Sequence, residues 1–339
     1  MNRNTLLLFF AVIILAAGYW LISKKPWNTA PKMADEFAVK DTASVSKIFM
    51  ANKNGIKILL ERQSDNTWRV NNKDIVDEIK IKLLLGTLHD MQIQHPIQAS
   101  MRTTAIGMLA STGIKTEIYA GEKCIKTIYV GGETPERTGT FMVLEGSEDV
   151  YSIHIPGFVG YLTPRFILNE IKWITKFVFN EDHNTIVNLK VHYPSKPRAS
   201  FVYNQDIFKS TGSLKNNEGN LVRADTQMVK FYLSGYKNLY VEGYYDDFVF
   251  LPNERDSLHK RTPFCEIELS NQSGQTQYLT VYDKPLGERS RQQFDEKGNL
   301  LKIDPEKYFA VVNKRKNIAS IQEYNFGRLF KELPDLMKK

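Results

Sequence analysis

The residues able to do chemistry are few and scattered. The six histidines are His89, His95, His154, His183, His192 and His259, and the only cysteines are Cys124 and Cys265. None of the histidines sits beside a Cys, Asp or Glu at metal-ligand spacing on an expected helix. His89 and His95, six apart at a helix end, make a poor chelating pair. The chain has no H-E-x-x-H, no phosphate-binding G-x-x-x-x-G-K, no G-x-G-x-x-G and no G-x-S-x-G. Tyr244-Tyr245-Asp246-Asp247 brings two carboxylates together, but neighbours on an extended chain point apart. The reading is therefore of a chain without catalytic, cofactor or metal residues. What remains is a pair of ordered loops. One runs from Gly131-Gly132-Glu133-Thr134-Pro135 to Arg137-Thr138-Gly139-Thr140, the other from His154-Ile155-Pro156-Gly157-Phe158 to Thr163-Pro164-Arg165-Phe166. Read as a binding surface, they offer backbone N–H groups with Arg137, His154 and Arg165 as polar contacts. Read as turn chemistry, Gly supplies positive φ and Pro a fixed one.

The elements that carry these loops follow from hydrophobic period. Residues 45–52 and 56–62 alternate around Asn54-Gly55, a strong hairpin signal. Trp68-Arg69-Val70 gives a third strand. A helix is expected from about Asp74, with Ile81, Leu84, Leu85, Leu88 and Met91 on one face, and a second over residues 99–112, stopped by Gly113. Strands return at 114–120, 125–130, 141–144 and 150–155. The pattern then repeats. Ser44-Val45-Ser46-Lys47-Ile48 resembles Thr185-Ile186-Val187-Asn188-Leu189, Thr116-Glu117-Ile118 resembles Cys265-Glu266-Ile267, and Ile128-Tyr129-Val130 resembles Leu279-Thr280-Val281. Phe141, Val150, Ser152, Ile153, Phe158 and Leu162 match Phe309, Ile318, Ser320, Ile321, Phe326 and Phe330 at a constant offset of 168. The expected fold is α+β: two related antiparallel-sheet-plus-helix units in tandem, each with its helices on one face. The expected organisation is a membrane anchor over 1–27, a linker over 28–40, a first unit over 41–168 and a connector over 169–182. Residues 173–179 within that connector look like a buried strand. A diverged second unit over 183–333 follows, with an inserted stretch at 284–305, and then a tail over 334–339.

The run 6–22, from Leu6 to Ile22, holds 17 uncharged residues, near the lower limit for crossing a ~30 Å hydrocarbon layer. Tyr19, Trp20 and Trp27 suit the membrane interface. Ala16-Ala17-Gly18 offers the small residues of a signal-peptide cleavage site, but the apolar run continues past it, which favours a retained anchor. The lipid bilayer is thus the first expected partner, and the location an inner membrane with the remainder in the periplasm. The net charge of +7 is spread among interspersed Lys and Glu rather than set in a stripe, which argues against nucleic acid. With 19 Phe and 16 Tyr the core does not need a disulfide, and two free, partly buried thiols are expected.

The segments V-G-G-E-T-P-E-R-T-G-T-F-M-V-L-E-G-S and Y-S-I-H-I-P-G-F-V-G-Y-L-T-P-R-F, with the W-x-V-N-N of Trp68 to Asn72, resemble the DUF4340 family in its Bacteroidetes-type, N-terminally anchored form. The likeness covers about residues 37–175 and fades beyond. The family name denotes an uncharacterised domain, so it brings no reaction and no catalytic residues. Relatives are often encoded beside gliding-type ABC transporter components, which implies an accessory role at the envelope. The expected function is a non-enzymatic, membrane-anchored scaffold or accessory protein, with an envelope protein as partner, ABC transporter subunits among the candidates. The alternatives are an envelope enzyme acting on glycan or peptide, and a periplasmic ligand-binding module using a cleft between the repeats.

Overall fold

The computed structural model describes residues 36–206, 211–245, 252–288 and 290–338. The anchor run 6–22 lies outside the described residues. Among the described residues no helix is long and apolar enough to cross a membrane. The chain is an antiparallel, sheet-rich α+β protein that divides into two compact units, Met1–Ile174 and Thr175–Lys339.

In the first unit, β1 (Lys47–Asn52) and β2 (Lys57–Arg62) form the expected hairpin. Gly55 takes φ +79 at the turn, where a side chain would be strained, and the Asn52 carboxamide caps the Asn54 and Ile56 amides. β3 (Trp68–Val70) and β4 (Asp74–Ile75) add outward. Because Asp74 and Ile75 join the sheet, α1 starts later than expected, at Glu78–Asp90, with Asp77 accepting the Ile79 amide as its N-cap. Ile81, Leu84, Leu88 and Met91 are buried as the periodicity predicts, but Leu85 lies at the edge of the stripe and is only half buried. β5 (Gln92–Pro96), α2 (Ala99–Thr112), β6 (Ile114–Ala120), β7 (Lys123–Glu133), β8 (Thr140–Leu144) and β9 (Tyr151–His154) follow. Gly113 ends α2 by close approach rather than by a left-handed cap: its φ is −61, and a Cβ there would lie 2.2 Å from the Leu109 carbonyl oxygen. The nine strands run β4-β3-β2-β1-β6-β7-β8-β9-β5. A short helix, α3 (Glu170–Trp173), closes the unit, with the Trp173 indole donating to the Ile167 carbonyl at 2.8 Å.

The second unit opens with β10 (Phe177–Phe179), which pairs with β15 (Leu239–Tyr240) apart from the main sheet. That sheet holds β11 (Ile186–His192), β12 (Phe201–Asp206), β13 (Thr211–Asn216), β14 (Leu221–Val222) and β16 (Gly243–Tyr244). It is completed by β17 (Cys265–Asn271), β18 (Thr276–Pro285), β19 (Ile303–Val312) and β20 (Ile318–Gln322). Helices α4 (Thr226–Ser234), α5 (Pro252–His259) and α6 (Glu323–Phe326) accompany it. The order is β14-β13-β12-β11-β17-β18-β19-β20-β16, strand for strand that of the first sheet.

The helices do not share one face, contrary to expectation. In the second unit Val229, Tyr232 and Leu233 of α4 cluster with Ala310, Val312, Ala319 and Ile321, while Leu258 of α5 packs with Tyr282, Val311 and Ile318. Successive strand residues point to opposite faces, so Ala310 and Val311 meet different helices. In the first unit Ala105 of α2 likewise meets Phe141 and Val150. Most strands alternate in burial, but β9 and β20 read as unbroken buried runs because both their faces are covered.

The sheet pairings also refine the sequence correspondences. Phe141 lies opposite Ser152, and Phe309 opposite Ser320, so the offset of 168 holds on these strands. It fails after them. Phe326, fully buried, stands immediately before a 3₁₀ turn, the place that Leu162 takes in the first unit, whereas Phe158 is 38% exposed. On β6, Thr116 pairs with Ile128 as Ile267 pairs with Leu279, so the counterpart of Thr116 is Ile267, two residues beyond Cys265. A two-residue slip keeps every side chain on its face, so the sequence pattern alone does not reveal it.

Several boundaries move as well. The end of the expected linker is core, with Phe37, Ala38 and Val39 buried. Within the expected connector, 173–179 is not one strand: Trp173 ends α3, and only Phe177–Phe179 is extended. The tail is packed, since Leu336 is buried and its carbonyl accepts the Asp225 amide at 2.8 Å. Both thiols are free, Cys265 buried but Cys124 exposed.

Thr116 is fully buried and its hydroxyl has no hydrogen-bond partner, where the second sheet holds Ile267. An unpaired buried hydroxyl costs about 1–3 kcal/mol. Thr116→Val is therefore expected to stabilise the first unit by about 1 kcal/mol, read as a higher thermal midpoint. A lower midpoint would show that the hydroxyl is satisfied.

Candidate functional site

The three loop residues singled out in the sequence do not converge. Arg137 sits in a turn at φ +58, its side chain 79% exposed and 3.6 Å from Glu133. Arg165 donates to the Thr87 hydroxyl at 3.0 Å and lies 4.3 Å from the Phe158 ring centroid, tying a 3₁₀ turn to α1. Burial pushes its pKa down. His154 ends β9 opposite Gln92; burial, then the nearby His95, lowers its pKa, so its imidazole is neutral near pH 7. No hydrogen bond or ion pair among the described residues links the three. Of the Tyr244–Asp247 tetrad, Asp246 and Asp247 lie outside the described residues.

The polar convergence is in the second unit, around Glu242 and Lys307, which the sequence did not flag. It begins with a serine buried in a strand covered on both faces. In the first sheet that serine is Ser152, fully buried, and its hydroxyl donates to the Gln94 side-chain oxygen at 2.8 Å. Its counterpart Ser320 donates to Glu242 Oε2 at 2.6 Å. Where the first sheet has the neutral Gln94, the second has the charged Glu242, and its surroundings answer that charge. Lys307 donates to both Glu242 oxygens, at 2.9 and 3.0 Å, and the Gln322 amide donates to Oε1. Burial alone would raise the pKa of Glu242; the bonds from Ser320, Lys307 and Gln322 outweigh it and hold the carboxyl below its ordinary range. At the offset of 168, Lys307 stands where the first sheet has Gly139, and Gln322 where it has His154. A Cβ on Gly139 would fall 2.1 Å from the Ser152 hydroxyl oxygen and 2.8 Å from Gln94 Oε1, so the neutral version has no room for a side chain there.

The inserted stretch 284–305 walls this cluster. Its ends continue the β18–β19 ladder through Pro285 opposite Ile303, and its tip closes on a Phe294–Leu300 bridge. At its base Asp304, 4% exposed, accepts from Lys284 Nζ and the Ser290 hydroxyl, both at 2.8 Å, and from the Glu306 amide at 3.0 Å. Burial raises the Asp304 pKa and these donors lower it further, leaving the carboxylate ionised. Between this pair and the Glu242 cluster lies a cavity of about 940 Å³, bordered also by Tyr244, Tyr245, Arg291 and Tyr324. The first unit has a more apolar hollow of about 760 Å³ beside α2, lined by Ile106, Leu109, Tyr129 and Val143 among others.

The sequence carried part of this signal. The inserted stretch was visible, and Lys284 lies at one of its ends with Asp304 one residue from the other. Glu242 was not visible, because its meaning depends on a serine 78 positions away. Among the described residues no group of three or more His, Cys, Asp and Glu is placed to hold a metal. No protein-family model, curated protein or solved structure matches the chain.

Glu242→Gln removes the counter-charge of Lys307 and is expected to cost on the order of 1 kcal/mol at neutral pH, a modest figure because both groups are partly solvated. The folded pKa of Glu242 lies below its ordinary 4.5, so its contribution is complete above that value and is lost as the pH falls through the folded pKa. The gap in thermal midpoint between wild type and variant should therefore close on acidification below about pH 4. A gap independent of pH would mean that Glu242 is not the stabilising ion.

Proposed function

We propose that this chain is a non-enzymatic accessory protein of the cell envelope, related to the DUF4340 family. It is anchored in the inner membrane by residues 6–22, with the rest in the periplasm. In this reading the two units are diverged copies of one α+β fold. The first keeps a neutral Ser152–Gln94 pair. The second has replaced it by a charged cluster and added a wall of 22 residues, 284–305. Its work is recognition, in support of an ABC-type transporter or an envelope assembly system.

The observation that carries this reading is the saturation of Glu242. Four hydrogen bonds from Lys307, Gln322 and Ser320 fill its acceptor sites and favour the ionised form. A general acid or base needs a pKa near the working pH and a free path to a proton; Glu242 has neither and acts as a fixed structural charge. The common strand order of the two sheets supports duplication, and the quoted loop segments support the family.

Carbonate-extracted membranes from cells producing the full chain test the anchor, and the protein is expected in the pellet. Complementation of a deletion strain tests the role. Removing residues 1–27 should abolish function while leaving the protein abundant. His154→Gln, which installs the residue already present as Gln322 in the second sheet, should leave function nearly intact. Loss of function in a folded, abundant His154→Gln protein would point to acid–base chemistry in the first unit instead.

A further inference from the structure

The cavity of the second unit has an uneven hydrogen-bond inventory. Glu242 is filled, and Asp304 spends three acceptances on Lys284, Ser290 and the Glu306 amide. These two carboxylates face inward and act as struts that hold Lys307 and Lys284 in place. An ammonium has three N–H donors. Lys307 uses two of them on Glu242 and Lys284 uses one on Asp304, so both keep donors in hand. Arg291 borders the same cavity, exposed, with no partner among the described residues. On the acceptor side the Glu306 carboxylate has no partner there either, and the Glu323 carboxylate borders the cavity beside Gly327. The lining thus leaves unspent donors on lysine and arginine and unspent acceptors on glutamate.

A purely anionic ligand would leave Glu306 and Glu323 facing a like charge, and a purely cationic one would do the same to Lys284, Arg291 and Lys307. Internal pairs already neutralise most of the site, so no large net field selects one sign. A ligand bearing both signs satisfies both sets. The space of about 940 Å³ lies at the upper end for small-ligand sites and exceeds what one amino acid fills. Tyr324, 93% exposed on the cavity border, offers a ring to the apolar middle of such a ligand.

We infer that the second unit's cavity binds a short peptide with free termini, its carboxylate on Lys307, Lys284 and Arg291 and its ammonium on Glu306 and Glu323. Capture of chain termini by converging N–H and carboxylate groups is a recurrent recognition mode. The inference rests on reading the cavity as a recognition site.

Isothermal titration of the detergent-solubilised full chain tests it, with trialanine as probe. N-acetyl-trialanine, trialanine amide, glycerophosphoethanolamine and N-acetylglucosamine are titrated in parallel. Trialanine is expected to bind, and blocking either terminus should weaken it about tenfold, the size of one lost charged contact. Arg291→Ala should weaken trialanine and narrow its advantage over the amide, with Lys307 and Lys284 still in place. Glu306→Gln should weaken trialanine and narrow its advantage over the acetylated form, with Glu323 still in place. Both side chains are at least partly solvated, and an unchanged thermal midpoint certifies folding. Equal binding of capped and free peptides overturns the proposal. Binding of only glycerophosphoethanolamine or N-acetylglucosamine overturns it while leaving the cavity a recognition site. No heat from any probe at millimolar concentration overturns both.

Discussion

A hydroxyl buried in a strand that is covered on both faces must find a partner within the protein, and this demand organises the molecule's polar interior. Ser152 is fully buried and Ser320 only 7% exposed, so neither hydroxyl can rely on water. The edge strand beside each supplies the acceptor, Gln94 in one unit and Glu242 in the other. With Gln94 the matter ends there. With Glu242 a charge enters the sheet edge, and a half-buried carboxylate has to be paired. Lys307 and Gln322 supply that pairing.

The inserted stretch works as a second polar layer rather than as a loose loop. Its base is fixed by Asp304, which accepts from the side chains of Lys284 and Ser290 and from the Glu306 backbone. Buried ion pairs are seldom large sources of net stability, because desolvation offsets most of the attraction. Their gain here is geometric: each lysine is held by a carboxylate on one side and keeps donors free on the other.

The sheet-rich α+β class, the Asn54-Gly55 hairpin and the buried stripe of α1 were legible because they depend on local period and turn chemistry. The helix placement was not. Alternation tells which residues share a face, but whether the opposite face is also covered shows only in the consecutive burial of β9 and β20. The pairing of Thr116 was hidden by the period of two, and the core role of Phe37 by its short, isolated apolar segment. Arg137, His154 and Arg165 were conspicuous because glycine and proline mark loops. Glu242 and Lys307 were inconspicuous because charges on strands look like ordinary solvated positions until the sheet brings them together.

The crowding at Gly139 has a consequence for the order in which mutations can accumulate. A side chain there would collide with the Ser152 hydroxyl, and near it waits a neutral amide with no charge to reward a lysine. Lysine at that position is thus harmful as a first step. A carboxylate at position 94 creates the electrostatic reason for the lysine but, until it arrives, leaves a charge uncompensated. A neutral edge and a charged edge are therefore separated by intermediates worse than either end. Single substitutions within either form are thus easier to accommodate than a crossing to the other.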